Sequence, residues 1–440
     1  MKKDTLTGVI PTEGKPIVFS SQNDYEFCFL TDMIYKIGEK NDVVKIPTVD
    51  GFLFGKTHEN NDVAIYVGGK EFIVFLNRTI TTGLYVKSSY NVRNRDIKDF
   101  DTICFQGGTL NKLFKINGIK TDLADGTNTV ELIDDSERYH IETNGYSINL
   151  VVRSITTERM GLEGRHIAND NVELTLKFDK PQPLKSLIEH YNKIKDLLSF
   201  MTFRENVGFD KIYIGKESSK TAEVFMREDK EFTDKNHFNN IHFDELGESL
   251  PKLLKLLYNS EDKKSSLSLG FIPKDDNDFF IMNNDKIRLI CTALECELSF
   301  AEDIKVEENK ELDELIETIK STIKEFRKTH TKLSNDVYNS ISSNMGHWSF
   351  PLAEKLCALH HKYEEEMLII NKNSSSITDE NIKAVVKYRN DITHGKHRVS
   401  DMEIARTAFY LCGLIYFCIL ERVGVDRKNI KEWCKHQLLT

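Results

Sequence analysis

The chain has 440 residues, which is too long for one ordinary hydrophobic core, so two domains are expected. Hydrophobic residues at 40% and charged residues at 29% are typical of a soluble globular protein. The formal net charge of -9 excludes a protein that coats nucleic acid with its whole surface, although a local basic cleft remains compatible with it.

Strand patterns dominate the first part of the chain. Residues 63–76 contain two β-branched and aromatic runs around Gly68-Gly69, and residues 138–152 contain two more around Asn144-Gly145. Both patterns predict hairpins, and therefore an antiparallel sheet. Residues 172–179, VELTLKFD, alternate cleanly and predict a strand that ends before the two prolines that follow.

The period then changes from two residues to that of a helix. Apolar residues recur at helical spacing over 184–202, which predicts an amphipathic helix. A short strand is predicted at 210–215 and a further helix at 249–258. The first domain, 1–258, is therefore expected to be β-rich with two helices.

A polar stretch beginning NSEDKKSSLS predicts a linker over 259–283, and helical patterns follow it. The expected fold class is α+β, with an antiparallel β-rich domain and then an all-α bundle over 284–440. The predicted helices of the bundle span 284–301, 310–330, 351–370, 378–394 and 400–423.

Two of these helices carry start signals. Thr378 is the predicted N-cap of the first, with Ile377 and Ile382 as a hydrophobic staple. Ser400 to Glu403 form a predicted capping box for the second, and Gly424 occupies the position of a C′ glycine.

The stretch between these signals, YRNDITHGKH at 388–397, combines residue types that carry chemistry. In a helix, Asn390 and His394 share one face, whereas Arg389 continues the apolar stripe toward neighbouring helices. Arg389 and His394 lie about 140° apart around an ideal helix. They converge only if the last turn distorts, which Gly395 favours, or if two subunits each contribute one residue.

These residue types suit RNA cleavage without a metal. A histidine can accept the proton of the 2′-hydroxyl or supply one to the leaving oxygen, which is the role expected for His394. An arginine can stabilise the negative charge of the transition state with paired donors, the role expected for Arg389. Asn390 would position them.

Basic side chains surround the motif, and Lys387, Lys396 and Arg398 are the predicted RNA contacts. A basic helix end is also what the helix dipole favours without any function. Arginine and histidine at this spacing recur by chance, so the pattern alone leaves a solvated helix end open.

The sequence R-N-D-I-T-H at 389–394, between an amphipathic and a long apolar helix, resembles the R-x4-6-H signature of HEPN domains. The segment ALECELSF at 293–300 is similar to the first long helix of these bundles, in which a glutamate often faces the site. The resemblance thus implies Glu295 as an assisting residue.

The order of the chain extends the resemblance. A strand-rich first half that passes through residues 177–203 into such a bundle resembles the ApeA type of anti-phage protein. This resemblance implies a metal-independent endoribonuclease that acts as a homodimer through the HEPN domain. It further implies cleavage of host RNA, with tRNA as the favoured substrate, and a phage-derived trigger sensed by the N-terminal domain. The alternative is a non-catalytic HEPN module that binds RNA or a partner protein.

Other sites have weaker support. Asp391, His394 and His397 are spaced in threes, but Gly395 interrupts their helix face, so no metal site is predicted. His360 and His361, followed by the acidic run at 364–366, are interpreted as solvated pairs on a helix. No nucleotide-binding loop or serine-hydrolase elbow occurs, and no cofactor is expected.

The remaining expectations concern the cysteines and the localisation of the protein. The eight cysteines form no CxxC pair, which favours buried free thiols. The start, MKKDTLTGVI, lacks a continuous apolar run, so cytoplasmic localisation is expected. The apolar run at 408–420 is shorter than the roughly 20 residues of a spanning helix, so no membrane contact is expected and a buried core helix is predicted.

Overall fold

The structure is a computed structural model, and it forms two compact units, Met1–Asn259 and Ser260–Thr440. It describes residues 5–13, 16–23, 25–31, 44–74, 77–88, 97–114, 119–124, 127–132, 136–161, 164–216, 219–227, 240–259, 267–279, 281–301, 304, 310–330, 334–346, 352–370, 377–396 and 401–434. The α+β prediction is confirmed: an antiparallel β-rich unit precedes an all-helical one.

The first unit contains the strands of the described chain. They are β1 (Thr7–Ile10), β2 (Ile17–Asn23), β3 (Glu26–Leu30), β4 (Val44–Pro47), β5 (Phe52–Thr57), β6 (Asp62–Tyr66), β7 (Glu71–Val74), β8 (Asn77–Thr81), β9 (Leu84–Ser88), β10 (Asp99–Gln106), β11 (Ile119–Ala124), β12 (Thr127–Leu132), β13 (Ser136–Glu142), β14 (Ser147–Gly161), β15 (Gly164–Pro183), β16 (Lys211–Lys216) and β17 (Ser219–Met226).

Within the described residues, thirteen strands form one sheet in the order β13-β14-β15-β10-β16-β17-β9-β6-β5-β1-β2-β3-β8. Two further pairs, β11-β12 and β4-β7, stand apart from it. Every pairing is antiparallel, and neighbours in sequence are often neighbours in the sheet, as hairpin connections favour.

The hairpin predicted at Asn144-Gly145 is confirmed, since β13 pairs with β14 in the register Glu142↔Ser147. The hairpin predicted at Gly68-Gly69 is wrong. β6 already pairs with β5 on one edge and β9 on the other, so β7 cannot join it and pairs with β4 instead. The two glycines, at φ +70° and +71°, turn the chain from one sheet into another.

The strand predicted at 172–179 is longer than expected. β15 begins at Gly164 and continues through both prolines to Pro183, where it still pairs with Asp99 of β10. A register shift between Phe100 and Thr102 interrupts the ladder just there. Prolines are tolerated at such irregularities because the ladder does not need their missing N–H groups.

The predicted helices agree with the structure more closely than the predicted strands do. Those of the first unit are α1 (Leu110–Leu113), α2 (Leu187–Thr202, after a 3-10 turn at Leu184–Ser186), α3 (Phe243–Leu246) and α4 (Ser249–Tyr258). Those of the second are α5 (Asp276–Phe279), α6 (Asn284–Leu298), α7 (Lys310–Thr329), α8 (Asn335–Gly346), α9 (Leu352–Lys362), α10 (Glu364–Ile370), α11 (Asp379–Thr393), α12 (Met402–Arg422) and α13 (Arg427–Trp433).

The structure differs from the predicted helices at several points. The helix expected at 351–370 is divided at Tyr363 into α9 and α10. The short helices α1, α3 and α5, and the longer α8 and α13, were not predicted. Part of the segment predicted as a linker belongs to the second unit, where the ring of Phe271 contacts Tyr416.

The core of the second unit is built from α6, α9, α11 and α12, which contact one another. α12 supplies a nearly continuous buried stretch from Tyr410 to Leu420. By length and composition α12 could span a membrane, but 78% of its most apolar window is buried inside the protein. It therefore fits the core helix of a soluble protein, as the apolar run predicted.

Candidate active site at the end of helix α11

α11 has a capped start and a buried apolar stripe. Thr378 accepts a hydrogen bond from the backbone N–H of Asn381, whose side chain accepts one from the N–H of Thr378. The predicted N-cap is confirmed. Ile382, Val385 and Val386 are buried, so the apolar stripe faces the core as predicted and brings Arg389 to the neighbouring α6.

Arg389 is held by two acceptors. Its Nη2 donates to both oxygens of Glu295 on α6, at 2.8 and 2.9 Å, and its Nη1 donates to Oδ1 of Asn390 at 3.1 Å. The side chains of Arg389 and Glu295 are 23% and 41% exposed, so solvent reaches part of the pair.

His394 ends the helix. It is the C-cap residue, and its backbone N–H donates to the carbonyl of Asn390 at 3.0 Å. Gly395 follows at φ +77° and donates to the carbonyl of Ile392, and Lys396 donates to that of Asp391. These bonds satisfy the last carbonyls of α11. Gly395 thus caps the helix, but the last turn of α11 keeps its regular hydrogen bond from His394 to Asn390.

The imidazole of His394 is exposed and, within the described residues, makes no hydrogen bond or ion pair. The structure thus brings Arg389, Asn390 and Glu295 together, but no hydrogen bond or ion pair among the described residues joins Arg389 to His394. A ligand or a second chain would have to complete a site that uses both.

The predicted RNA contacts differ in their surroundings. Lys387 is exposed. Lys396 is exposed as well, and its Nζ donates to Oδ1 of the buried Asp391 at 2.8 Å, which neutralises part of its charge. Arg398 lies outside the described residues, as do His397 and Ser400. The capping box predicted from Ser400 to Glu403 is wrong: α12 begins at Met402 with Asp401 as its N-cap, whose side chain accepts a hydrogen bond from the N–H of Ile404. Gly424 follows the end of α12 at φ +89°, as predicted.

Beneath the ion pair lies Cys291, one turn before Glu295 on α6. Burial raises the pKa of its thiol to about 12, with the nearby Glu295 adding to the effect and Arg389 opposing it. It is therefore an inert packed thiol rather than a nucleophile.

The sequence missed two polar clusters. On the open sheet, Glu173 of β15 is 1% exposed and accepts hydrogen bonds from Gln106, Arg153 and Lys220. In the bundle, a ligand atom from each of His360, His361 and Asp379 lies within 4.8 Å of the others. Of the solvated pairs predicted between these histidines and the acidic run at 364–366, His361 lies 3.6 Å from Glu364. His360 is buried rather than solvated, and Asp379 comes from another helix.

Comparison with known families adds an independent finding. Residues 49–257 match the family model of ApeA N-terminal domain 1. The chain is ApeA-like in this region. The match lies within the β-rich unit, which the sequence had related to the ApeA type only by its strand pattern. Neither the curated proteins nor the solved structures contain a match to this chain.

Proposed function

We propose that the protein is a metal-independent endoribonuclease of HEPN type that acts in anti-phage defence. The observation that carries the proposal is the pairing of Arg389 with both oxygens of Glu295, beside the exposed His394 at a capped helix end. The ApeA-like N-terminal domain supports the anti-phage part.

The proposed chemistry assigns one step to each side chain. His394 accepts the proton of the 2′-hydroxyl or gives one to the leaving 5′-oxygen. Arg389 stabilises the phosphorane-like transition state. Of its five N–H donors, those of Nη2 and one of Nη1 are engaged in contacts with described residues, which leaves Nε and the second Nη1 hydrogen for phosphate oxygens. Glu295 and Asn390 orient the guanidinium, and exposed Lys387 adds positive charge.

The proposal includes a homodimer. Because no hydrogen bond or ion pair joins Arg389 to His394 within the described part of one chain, a symmetric pair could supply arginine from one copy and histidine from the other. The favoured substrate is host tRNA, and the N-terminal domain would respond to a phage-derived trigger.

The test of catalysis uses purified protein, total tRNA and excess chelator. Wild-type protein should produce fragments that end in 2′,3′-cyclic phosphate, and His394→Ala should lose at least a hundredfold in rate. His58→Ala is the matched control, because it removes another exposed imidazole from the β-rich unit and should cleave like wild type. Equal cleavage by His394→Ala would overturn the assignment.

The rival function, a non-catalytic module that binds RNA or a partner, gives a different result in the same assay. It predicts bound tRNA without fragments, in wild type and variant alike. Activity that disappears only with chelator would contradict the metal-independent mechanism.

The composite site has its own test. Arg389→Ala and His394→Ala chains, each inactive alone, are unfolded, mixed in equal amounts and refolded together. If the site joins two chains, mixed dimers hold one intact site, and about a quarter of the wild-type activity returns. If each chain builds its own site, the mixture stays inactive.

A further inference from the structure

A second cluster in the helical unit lies at the opposite end of α11. His360 and His361 occupy the last turn of α9, and Asp379 is the first residue of α11. One ligand atom of each lies within 4.8 Å of the other two. α11 separates this cluster from His394 by about 20 Å, so it is distinct from the proposed nuclease site.

The distances within the cluster approach those of a metal site. Nε2 of His361 is 3.3 Å from each oxygen of Asp379. Ligand atoms at about 2.0 to 2.1 Å from a tetrahedral zinc ion are themselves about 3.3 Å apart. The pair could therefore accept an ion with little movement.

The third residue, His360, is already fixed. It is 5% exposed, and its Nδ1 lies 2.6 Å from the hydroxyl of Tyr410 on α12. A hydrogen bond from one ring nitrogen sets the tautomer and orientation of metal-binding histidines.

The electrostatics of the cluster favour a cation. Oδ1 of Asp379 is enclosed and accepts no hydrogen bond within the described residues, although it lies near His361. Glu364 at the start of α10 approaches Nδ1 of His361 at 3.6 Å. The C-terminal end of α9 also carries the negative end of its helix dipole.

We propose that His360, His361 and Asp379 bind one first-row divalent transition-metal ion, with Zn²⁺ the preferred ion and one coordination position open. Two imidazoles and one carboxylate suit zinc and exclude a preference for magnesium or calcium, which favour oxygen ligands. The bound ion would brace α9 against the start of α11.

The experiment uses the full chain without a histidine tag, stripped with chelator and dialysed, and titrated with ZnCl₂ by calorimetry. Wild-type protein should bind one Zn²⁺ per chain and melt at a higher temperature with zinc than without. His361→Ala and the isosteric Asp379→Asn should each weaken this binding at least tenfold.

The matched control is His140→Ala. His140 is also an exposed histidine beside a carboxylate, Glu142 at 2.6 Å, but no third histidine, cysteine or carboxylate of the described residues completes a ligand set there, so its loss should leave zinc binding unchanged. Equal binding by Asp379→Asn and wild type, or no binding by wild type, would overturn the proposal.

Substitution by Co²⁺ separates this site from a cysteine site. The expected spectrum has the visible bands of tetrahedral Co²⁺ without a sulfur-to-cobalt band in the near ultraviolet. A strong sulfur band would place the ion at a thiol and contradict the proposed ligands. Neither readout depends on RNA cleavage, so the two proposals fail independently.

Discussion

Nη2 of Arg389 donates to both oxygens of Glu295, which joins two helices across 94 residues of sequence. Both side chains are partly exposed, at 23% and 41%. Ion pairs of this exposure contribute about 1 kcal/mol or less to stability, because water screens them. The pair therefore orients the guanidinium more than it holds the bundle together.

Glu295→Gln tests this separation of roles. Its free energy of unfolding should fall by less than about 1 kcal/mol, whereas tRNA cleavage should fall about tenfold because Arg389 loses its orientation. Urea unfolding followed by tryptophan fluorescence and single-turnover cleavage measure the two effects. Glu317→Gln, which breaks the exposed 2.7 Å pair with Lys320, is the control and should change neither. Faster cleavage by Glu295→Gln would mean that the pair restrains Arg389 instead.

Gly395→Ala tests the turn after His394. Gly395 has φ +77°, so alanine there should cost about 1 kcal/mol even though no atom lies within 4 Å of the added methyl group. The strained turn should also displace His394 and slow cleavage. Gly83→Ala has equally open space but no positive φ, and should be neutral or slightly stabilising in thermal unfolding. Equal stability of the two variants would show that the turn tolerates a side chain.

Glu173→Gln tests the buried network of the sheet. Burial by itself raises the pKa of Glu173, but hydrogen bonds from Cys104, Lys220, Gln106 and Arg153 together lower it to about 2. Because the folded pKa lies below the usual 4.5, the ionised carboxylate stabilises the folded protein. This contribution to the free energy of unfolding is fully present above about pH 4.5 and is lost as pH falls toward 2.

At neutral pH the Glu173→Gln variant should lose about 1 to 2 kcal/mol, because it removes a buried carboxylate, whereas the two cations that lose their partner, Arg153 and Lys220, are 51% and 40% exposed and are partly solvated. Hydrogen exchange of the β10 and β15 amides measures the loss within this unit. The gap to wild type should narrow at pH 3.5. Glu59→Gln, which breaks an exposed pair with Lys87 at 3.5 Å, should cost less than about 1 kcal/mol. A gap that is constant with pH would contradict the lowered pKa.

Glu297→Gln has the opposite pH dependence. Glu297 is 2% exposed, and burial raises its pKa to about 7 although Arg422, 2.9 Å away, opposes the shift. With a folded pKa above the usual 4.5, its contribution is fully present below about pH 4.5 and is lost as pH rises through 7. The wild type should therefore lose stability relative to the variant between pH 5 and 8, by an amount on the order of 3 kcal/mol.

Tryptophan fluorescence during urea unfolding measures this difference, because Trp433 is buried in the helical unit. Groups that titrate equally in both proteins cancel in the comparison. A relative stability that does not change between pH 5 and 8 would show that Arg422 keeps the carboxyl ionised throughout.

Local signals accounted for much of the fold. The helix predicted at 249–258 has those bounds in the structure, and Thr378 and Gly424 cap their helices as expected. Such signals act over a few residues, so a single sequence displays them. The family comparison supports the resemblance of the β-rich region to the ApeA type. The ribonuclease function of the helical unit stays a prediction.

Strand pairing between residues distant in the sequence was harder to predict. Gly68-Gly69 has the positive φ angles of a tight turn, yet the strands beside it do not pair, because β5 and β9 occupy both edges of β6. The sequence near residue 68 contains no signal that both edges of β6 are already paired.

By itself, the sequence determined the change from strand to helix, the N-cap of α11, the glycine that ends α12, and the residue types at the end of α11. Only the tertiary structure decided which side chains meet. It set Arg389 against Glu295, left the imidazole of His394 exposed, and brought Asp379 to His361 from a separate helix. The physical reason is that helix periods and caps depend on neighbours in the chain, whereas these contacts depend on how whole helices pack.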